Sequence, residues 1–360
     1  MSRDPQVSRR KYVKSMGAGA TVFGLDRFSF TPKITIPLLR SKQGVVEEEE
    51  VPRAWWQHVQ TSKRVVEKVR EQYSGVKGFK SAYRTISDER IKGYRKKKIA
   101  IEIDTEEAPN IPLGSDTPNG PFPEEVNGIG VETRENLNRT ASACKNVGHF
   151  DPIPGGTGIF NQQGLKATAC CKVTYNGSPR LLTVSHMTLC RKEPVYQDSD
   201  EQRQIGSIDN LSASQDWATI DLNSDYDLDN TIRLPSGTEY PVNGWITEGG
   251  VETYASNGRE FLKVGSETGR TKNSILNHYA PFDDDCSNYE KGIDMRNNGA
   301  NGDSGGPIFL LTDNNTAFIL AINQYNGGGT VDIGCSGIAE KNYSGGIAAW
   351  YLQNNTPISF

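Results

Sequence analysis

Gly302-Asp303-Ser304-Gly305-Gly306-Pro307 places one serine inside a run of glycines. Glycine tolerates the left-handed backbone that a tight turn needs, so the run predicts a sharp turn carrying an exposed Ser304 hydroxyl. Such a turn leaves backbone N–H groups free to point one way, as the oxyanion of acyl transfer requires. One donor of this kind lowers the barrier by ~3–4 kcal/mol. The surroundings of the turn read as β. From about residue 150, apolar runs at Leu165–Val173, Arg180–Ser185, Asp216–Leu222, Phe261–Val264, Ile308–Thr312 and Ala317–Ile322 alternate with turn signals such as Asn176-Gly177, Ser236-Gly237 and Asn257-Gly258. Short strands at this density predict an all-β sandwich or barrel. A helix-like stretch, Ile347–Leu352, closes the chain.

Chain order selects the chemistry. The run also satisfies G-x-S-x-G, the nucleophile elbow of α/β-hydrolases, in which the histidine follows the serine. Here His58, His149, His186 and His278 all precede Ser304, so that order has no base. The order His, Asp, Ser is available. Leu181-Leu182-Thr183-Val184-Ser185-His186 is an apolar strand ending in a histidine, and Asp216 heads the apolar run Trp217–Leu222. A buried aspartate there can fix the imidazole tautomer and stabilise the imidazolium. Asp209, Asp221 and Asp225 lie nearby as alternatives.

Leu182 to His186, Asp216-Trp217-Ala218-Thr219-Ile220 and Gly302 to Pro307 resemble the three signature blocks of the chymotrypsin-like (trypsin-like) serine peptidases, T-A-A-H, D-[IL]-A-L-[LI] and G-D-S-G-G-P. The serine block matches fully and the others in part. Ser185 stands where alanine is usual, and Met187 where a cysteine usually follows the histidine. The resemblance covers 151–360 and implies two six-stranded β-barrels with the site in the cleft between them. It implies a serine endopeptidase acting on polypeptides through an acyl-enzyme. His186 would be the general base, Asp216 its orienting carboxylate and Ser304 the nucleophile, with the Gly302 and Ser304 N–H groups as the oxyanion hole. It places Asn298 at the base of the specificity pocket, where an aspartate would favour Lys or Arg. It implies no cofactor and no metal. A catalytically inactive peptidase-fold binding protein of the cell envelope is the alternative.

The same resemblance implies a disulfide from Cys190 to Cys170 or Cys171, and suggests Cys286 with Cys335. All six cysteines lie between 144 and 335, an even number that fits an oxidising compartment. Ile153-Pro154-Gly155-Gly156 resembles the family's mature start, whose freed ammonium pairs with the aspartate before the nucleophile, here Asp303. Asp151-Pro152 in front of it does not fit trypsin-type cleavage.

The first hundred residues have another character. They hold 23 Lys/Arg against 10 Asp/Glu, net +13, whereas 101–360 hold 17 against 34, net −17. Ser8-Arg9-Arg10-Lys11-Tyr12-Val13-Lys14 and the short apolar stretch after it resemble a twin-arginine export signal over 1–35, which predicts a secreted or cell-envelope protein. Mean hydropathy is −0.59, and no run of apolar residues is long enough for a transmembrane segment. Residues 26–54 read as a linker. Helical spacing of Trp55, Val59, Val65, Val66, Val69 and Tyr73, then alternation at Ile99, Ile101 and Ile103, predict a small α+β unit over 55–135. The basic region 36–150 is therefore expected to be an intramolecular prosegment docked on the acidic half through Val59, Val66 and Ile101. Arg95-Lys96-Lys97-Lys98 beside Tyr94 belongs to no nucleic-acid-binding fold, and no nucleic-acid partner is expected.

Overall fold

Two antiparallel-rich sheets carry the chain. The computed structural model describes residues 31–103, 122–135, 146–197, 203–284, 287–296, 299–332 and 339–360. Residues 1–30, which hold most of the expected export signal, and Asn298, Cys144, Cys286 and Cys335 lie outside the described residues. Pro32–Phe360 forms one unit.

The first sheet has eight strands, among them Lys172–Tyr175, Ser178–Thr183, Trp217–Leu222, Arg203–Ser212 and Pro194–Gln197 in that spatial order. The second has sixteen. At its centre lie Glu239–Ile246, Ala317–Ile322, Pro307–Leu311, Glu260–Gly265 and the long strand Gly269–Asp284. Leu181, Val184 and Ile220 of the first sheet share one core cluster with Phe309, Ile319 and Ile322 of the second. The all-β class and the two-layer plan agree with the double-barrel expectation. Chain ends enlarge both sheets: Ile358–Ser359 pairs with Thr174 and Tyr175, and N-terminal strands extend the second sheet.

That extension corrects the linker reading of 26–54. Lys33–Ser41 and Gly44–Pro52 form an antiparallel hairpin, and the inner strand buries Ile36, Leu38 and Leu39. It then pairs with the second sheet at Leu39↔Ile246 and Arg40↔Trp245. Pro37 and the glutamate run Glu47–Glu50 hide this pairing from a periodicity count. Helix α1 (Arg53–Tyr73) follows directly, buries Trp55, Val59, Val65, Val66 and Val69 as expected, and stops at Ser74. Tyr94–Ile103 is the expected strand. Its partner Phe79–Ile91 was not readable, since its Ser-Asp-Glu-Arg end looks like loop. Val66 and Ile101 belong to the small core that this unit makes for itself, with Val69, Ile99 and Ile129. Of the three residues expected to dock, only Val59 joins the core of the acidic half, with Phe261 and Ile308.

Three further stretches differ from expectation. Leu165–Val173 divides into Lys166–Thr168 and Lys172–Tyr175, because the Ala169 and Cys170 N–H groups donate to Thr157 and Leu182 carbonyls instead. Cys170 and Cys171 are buried free thiols, so neither pairs with Cys190, which is disulfide-bonded elsewhere. Helix α2 (Glu248–Asn257) occupies a region read only as turns. The Thr247 side chain caps its start by accepting from Gly250 N–H, and left-handed Gly258 ends it. The closing helix α3 runs Ala349–Asn355, shifted slightly from Ile347–Leu352.

Candidate active site

His186 and Asp216 meet at the ends of two paired strands of the first sheet. Ser178–Thr183 and Trp217–Leu222 run antiparallel with Thr183 opposite Ala218. The residues just beyond, Val184-Ser185-His186 and Asp216, therefore emerge at the same edge. The His186 backbone begins a 3-10 turn, and Asp216 holds a left-handed φ of 49°, a conformation that aspartate tolerates better than most residues. His186 Nδ1 lies 2.7 Å from Asp216 Oδ2. Asp216 Oδ1 accepts from three donors: His186 N–H at 2.9 Å, Ser185 N–H at 3.1 Å and Ser185 Oγ at 3.0 Å. Asp216 is fully buried while His186 stays partly exposed. A carboxylate so held fixes the histidine ring with Nδ1 toward the aspartate and Nε2 outward. Ser185, the departure from the usual alanine, thus adds one bond, from its Oγ, that alanine could not make.

Asp209 is engaged elsewhere, with Arg180 Nε at 2.6 Å and Thr219 Oγ1 at 2.7 Å. Asp221 also pairs with Arg180, at 3.0 Å. Of the four aspartates considered, Asp216 is the one bonded to the histidine.

Ser304 sits on the predicted turn of the second sheet. Gly302 and Gly305 take φ of 92° and 94°. A Cβ at Gly305 would collide with Thr168 O, and one at Gly302 would come 2.7 Å from Glu267 Cγ, so glycine is required on both counts. The first sheet grips this turn directly. Thr168 N–H donates to Ser304 O at 2.7 Å, and Thr168 Oγ1 donates to Gly302 O at 2.5 Å. Asp303 O accepts from Gly306 N–H at 2.9 Å, so the trans peptide directs Ser304 N–H the opposite way. Neither the Gly302 nor the Ser304 N–H donates to any acceptor among the described residues. Two unengaged amides beside the serine are what an oxyanion hole needs.

Gln324 joins the two parts and was invisible in the sequence. Its side-chain amide donates to Asp216 O at 2.7 Å and Gln215 O at 2.9 Å, while its backbone carbonyl accepts from Ser304 Oγ at 3.3 Å. Ile347 N–H donates to Gln324 Oε1 at 2.7 Å. No motif surrounds Gln324, so only the fold identifies it.

Asp303 faces a lysine, and not a freed Ile153 ammonium, in keeping with the poor fit of Asp151-Pro152 to trypsin-type cleavage. Lys263 Nζ lies 2.5 Å from Asp303 Oδ2, and both side chains are fully buried. Ile153 is instead bound within the chain, its N–H donating to Asp227 O at 2.8 Å. Next to this pair, Glu267 bonds Lys166. Burial pushes the Glu267 carboxyl up to about 7, against the lowering effect of Lys166.

No family model and no curated protein sequence matches the chain. Solved structures of serine proteases are similar to it over little more than half its length. A glutamic-acid-specific serine protease, described as using a histidine triad in substrate binding, is 18% identical with a TM-score of 0.43, covering 57% of this chain and 99% of its own. Protease A of Thermobifida fusca is 14% identical with a TM-score of 0.43, covering 57% and 97%. A chymotrypsin of Cellulomonas bogoriensis is 16% identical with a TM-score of 0.42, covering 59% and 98%. At these identities and scores the chemistry of the site stands on its own geometry.

Proposed function

We propose that the protein is an exported serine endopeptidase. His186 takes the proton of Ser304 Oγ, the alkoxide attacks a peptide carbonyl, and the Gly302 and Ser304 N–H groups hold the resulting oxyanion. Asp216 stabilises the imidazolium, which then protonates the leaving amine to give the acyl-enzyme; water reverses the sequence. The observation that carries this reading is the Asp216 carboxylate, buried and bonded four ways, three of them to His186 or its neighbour Ser185 and one to the ring itself. Export by a twin-arginine route is supported by Ser8 to Lys14 and by the oxidised Cys190. The region 36–150, expected as a prosegment, enters this proposal as a docked partner of the peptidase half.

A fluorophosphonate probe tests the reading without knowledge of the substrate, since it reacts with an activated serine and leaves a tetrahedral adduct in the oxyanion hole. The folded wild type should label, and Ser304→Ala and His186→Gln should not. Absence of labelling in folded wild type, or full labelling in either variant, refutes the triad.

A further inference from the structure

Three of the chain's five tryptophans line one cavity of about 420 Å³. Trp56 comes from α1, Trp245 from the strand Glu239–Ile246 and Trp350 from α3. They meet because the N-terminal hairpin closes the edge of the second sheet at Arg40↔Trp245. Trp56 and Trp245 are only partly buried. Exposed apolar surface gathered in a concavity marks a binding site. Arg40 from the hairpin, Glu248 at the start of α2 and Asn354 in α3 bring polar groups to the same cavity. None of these residues belongs to the candidate active site.

Charge narrows the ligand. Glu248 is the one acid in the lining, and Lys63 Nζ holds it at 2.9 Å. Lys63 also stands 5.7 Å from the centre of the Trp56 ring, where a cationic ligand would have to sit. A quaternary ammonium is therefore disfavoured. Arg40 is a single exposed cation and makes no anion site. What fits is a neutral molecule with flat apolar faces and edges that both donate and accept. A pyranose ring has this form. Its C–H face stacks on indole, and its hydroxyls can donate to the Glu248 carboxylate and Asn354 carbonyl while accepting from Arg40 and the Asn354 amide. A proline-rich peptide could use the same rings, but its prolines have no N–H donors for Glu248.

We propose that this cavity binds a short neutral oligosaccharide, giving the protein a carbohydrate-binding site separate from its triad. The experiment uses the full chain carrying Ser304→Ala, so that the outcome does not depend on hydrolysis. Cellotetraose, chitotetraose, maltotetraose and a proline-rich decapeptide are titrated to millimolar concentration against tryptophan fluorescence, with calorimetry as a second readout. At least one sugar should bind saturably. Trp245→Ala should weaken it by about tenfold. Asn354→Ala, an exposed change that leaves packing intact, should weaken it severalfold. Failure of all three sugars overturns the proposal. So does binding of the peptide alone, or sugar binding unchanged in folded Trp245→Ala and Asn354→Ala proteins.

Discussion

Replacing Lys263 by methionine removes the cation that faces Asp303 and leaves the volume nearly unchanged. Asp303 precedes the candidate nucleophile, and its carboxylate has five partners: Lys263 Nζ at 2.5 Å, Thr268 Oγ1 at 2.6 Å, and the N–H groups of Thr268, Glu267 and Ala300 at 3.0, 3.1 and 3.1 Å. Breaking a buried pair by deleting one member costs ~3–5 kcal/mol, because the remaining charge stays out of water. Four hydrogen bonds persist, which places the expected loss near the lower figure, about 3 kcal/mol. The same carboxylate ties Ala300 to Thr268 across the turn, so its relaxation should move the Gly302 and Ser304 amides. Loss of one oxyanion donor costs roughly 10²–10³-fold in rate. Stability is read by urea unfolding in the Ser304→Ala background, and the oxyanion hole by the labelling rate of the fluorophosphonate in the Ser304 form. Lys263→Arg, which keeps the charge, should recover part of both. A destabilisation of ~3 kcal/mol with an unchanged labelling rate would show that the pair holds the fold but not the turn. A destabilisation under ~1 kcal/mol would refute the buried-pair reasoning itself.

Two buried carboxylates predict opposite pH responses. Glu267 has its carboxyl raised by burial from 4.5 to about 7, so the folded protein binds a proton that the unfolded chain releases. Its contribution to stability should fall as pH rises from 4.5 to 7 and then level off; urea unfolding of wild type against Glu267→Gln should diverge across that window, and parallel curves refute it. Glu252 behaves in reverse, since burial alone would raise it but Arg84 and its neighbours hold it well below the usual carboxylate range. Beside it, burial pushes the His278 imidazole from 6.5 down to about 3. The unfolded chain binds protons at both positions where the folded protein does not, so stability should fall as pH drops below 6.5. His278→Gln should flatten the decline between 6.5 and 4.5 in the same assay, and an unaltered pH profile would count against the buried neutral histidine.

The His186–Asp216 contact and the Ser304 turn were legible because the residue types are restricted at adjacent positions. A serine between glycines, a histidine ending an apolar strand and an aspartate heading another are each improbable by chance, and chain order removed the competing fold. Lys263 was not legible for a physical reason. Glu260–Gly265 is buried along nearly its whole length, with Phe261, Lys263 and Gly265 all inside, so no alternation marks the lysine as internal. In an isolated apolar run a lysine reads as the solvent face. Gln324 has the same character: its role depends on three backbone groups brought from residues 215, 216 and 347, and nothing local announces them. The hairpin over Lys33–Pro52 was missed because its outer strand is charged and exposed, as an edge strand should be, and such strands look like linkers.

The charge asymmetry between the halves was legible as a number, yet bulk attraction is not what joins them. Much of the basic cluster is spent within the N-terminal region: Lys96 pairs with Glu89 at 2.6 Å and Lys98 with Glu132 at 2.5 Å. The most deeply buried polar link to the acidic half centres on one carboxylate, beside the more exposed pairs Lys63–Glu248 at 2.9 Å and Lys291–Glu67 at 3.0 Å. Glu252 of α2 lies 2.6 Å from Arg84 Nη2, 3.2 Å from Lys97 Nζ and 2.8 Å from His278 Nε2. Arg84 also stacks 3.9 Å from the Tyr279 ring. All four charged or titratable members are buried. Salt screens exposed charges and scarcely reaches such a cluster. Around it, Thr85 pairs with Asn277 and Arg84 with His278 in one continuous ladder, and Arg40 pairs with Trp245 in another. Separating the halves would expose sheet edges, a shared core containing Val59, Phe261 and Ile308, and an unpaired carboxylate with two unpaired cations. Each unpaired charge carries a desolvation penalty of several kcal/mol if it remains buried. The buried cluster, with the two ladders and the shared core, ties the basic N-terminal region into one unit with the acidic half.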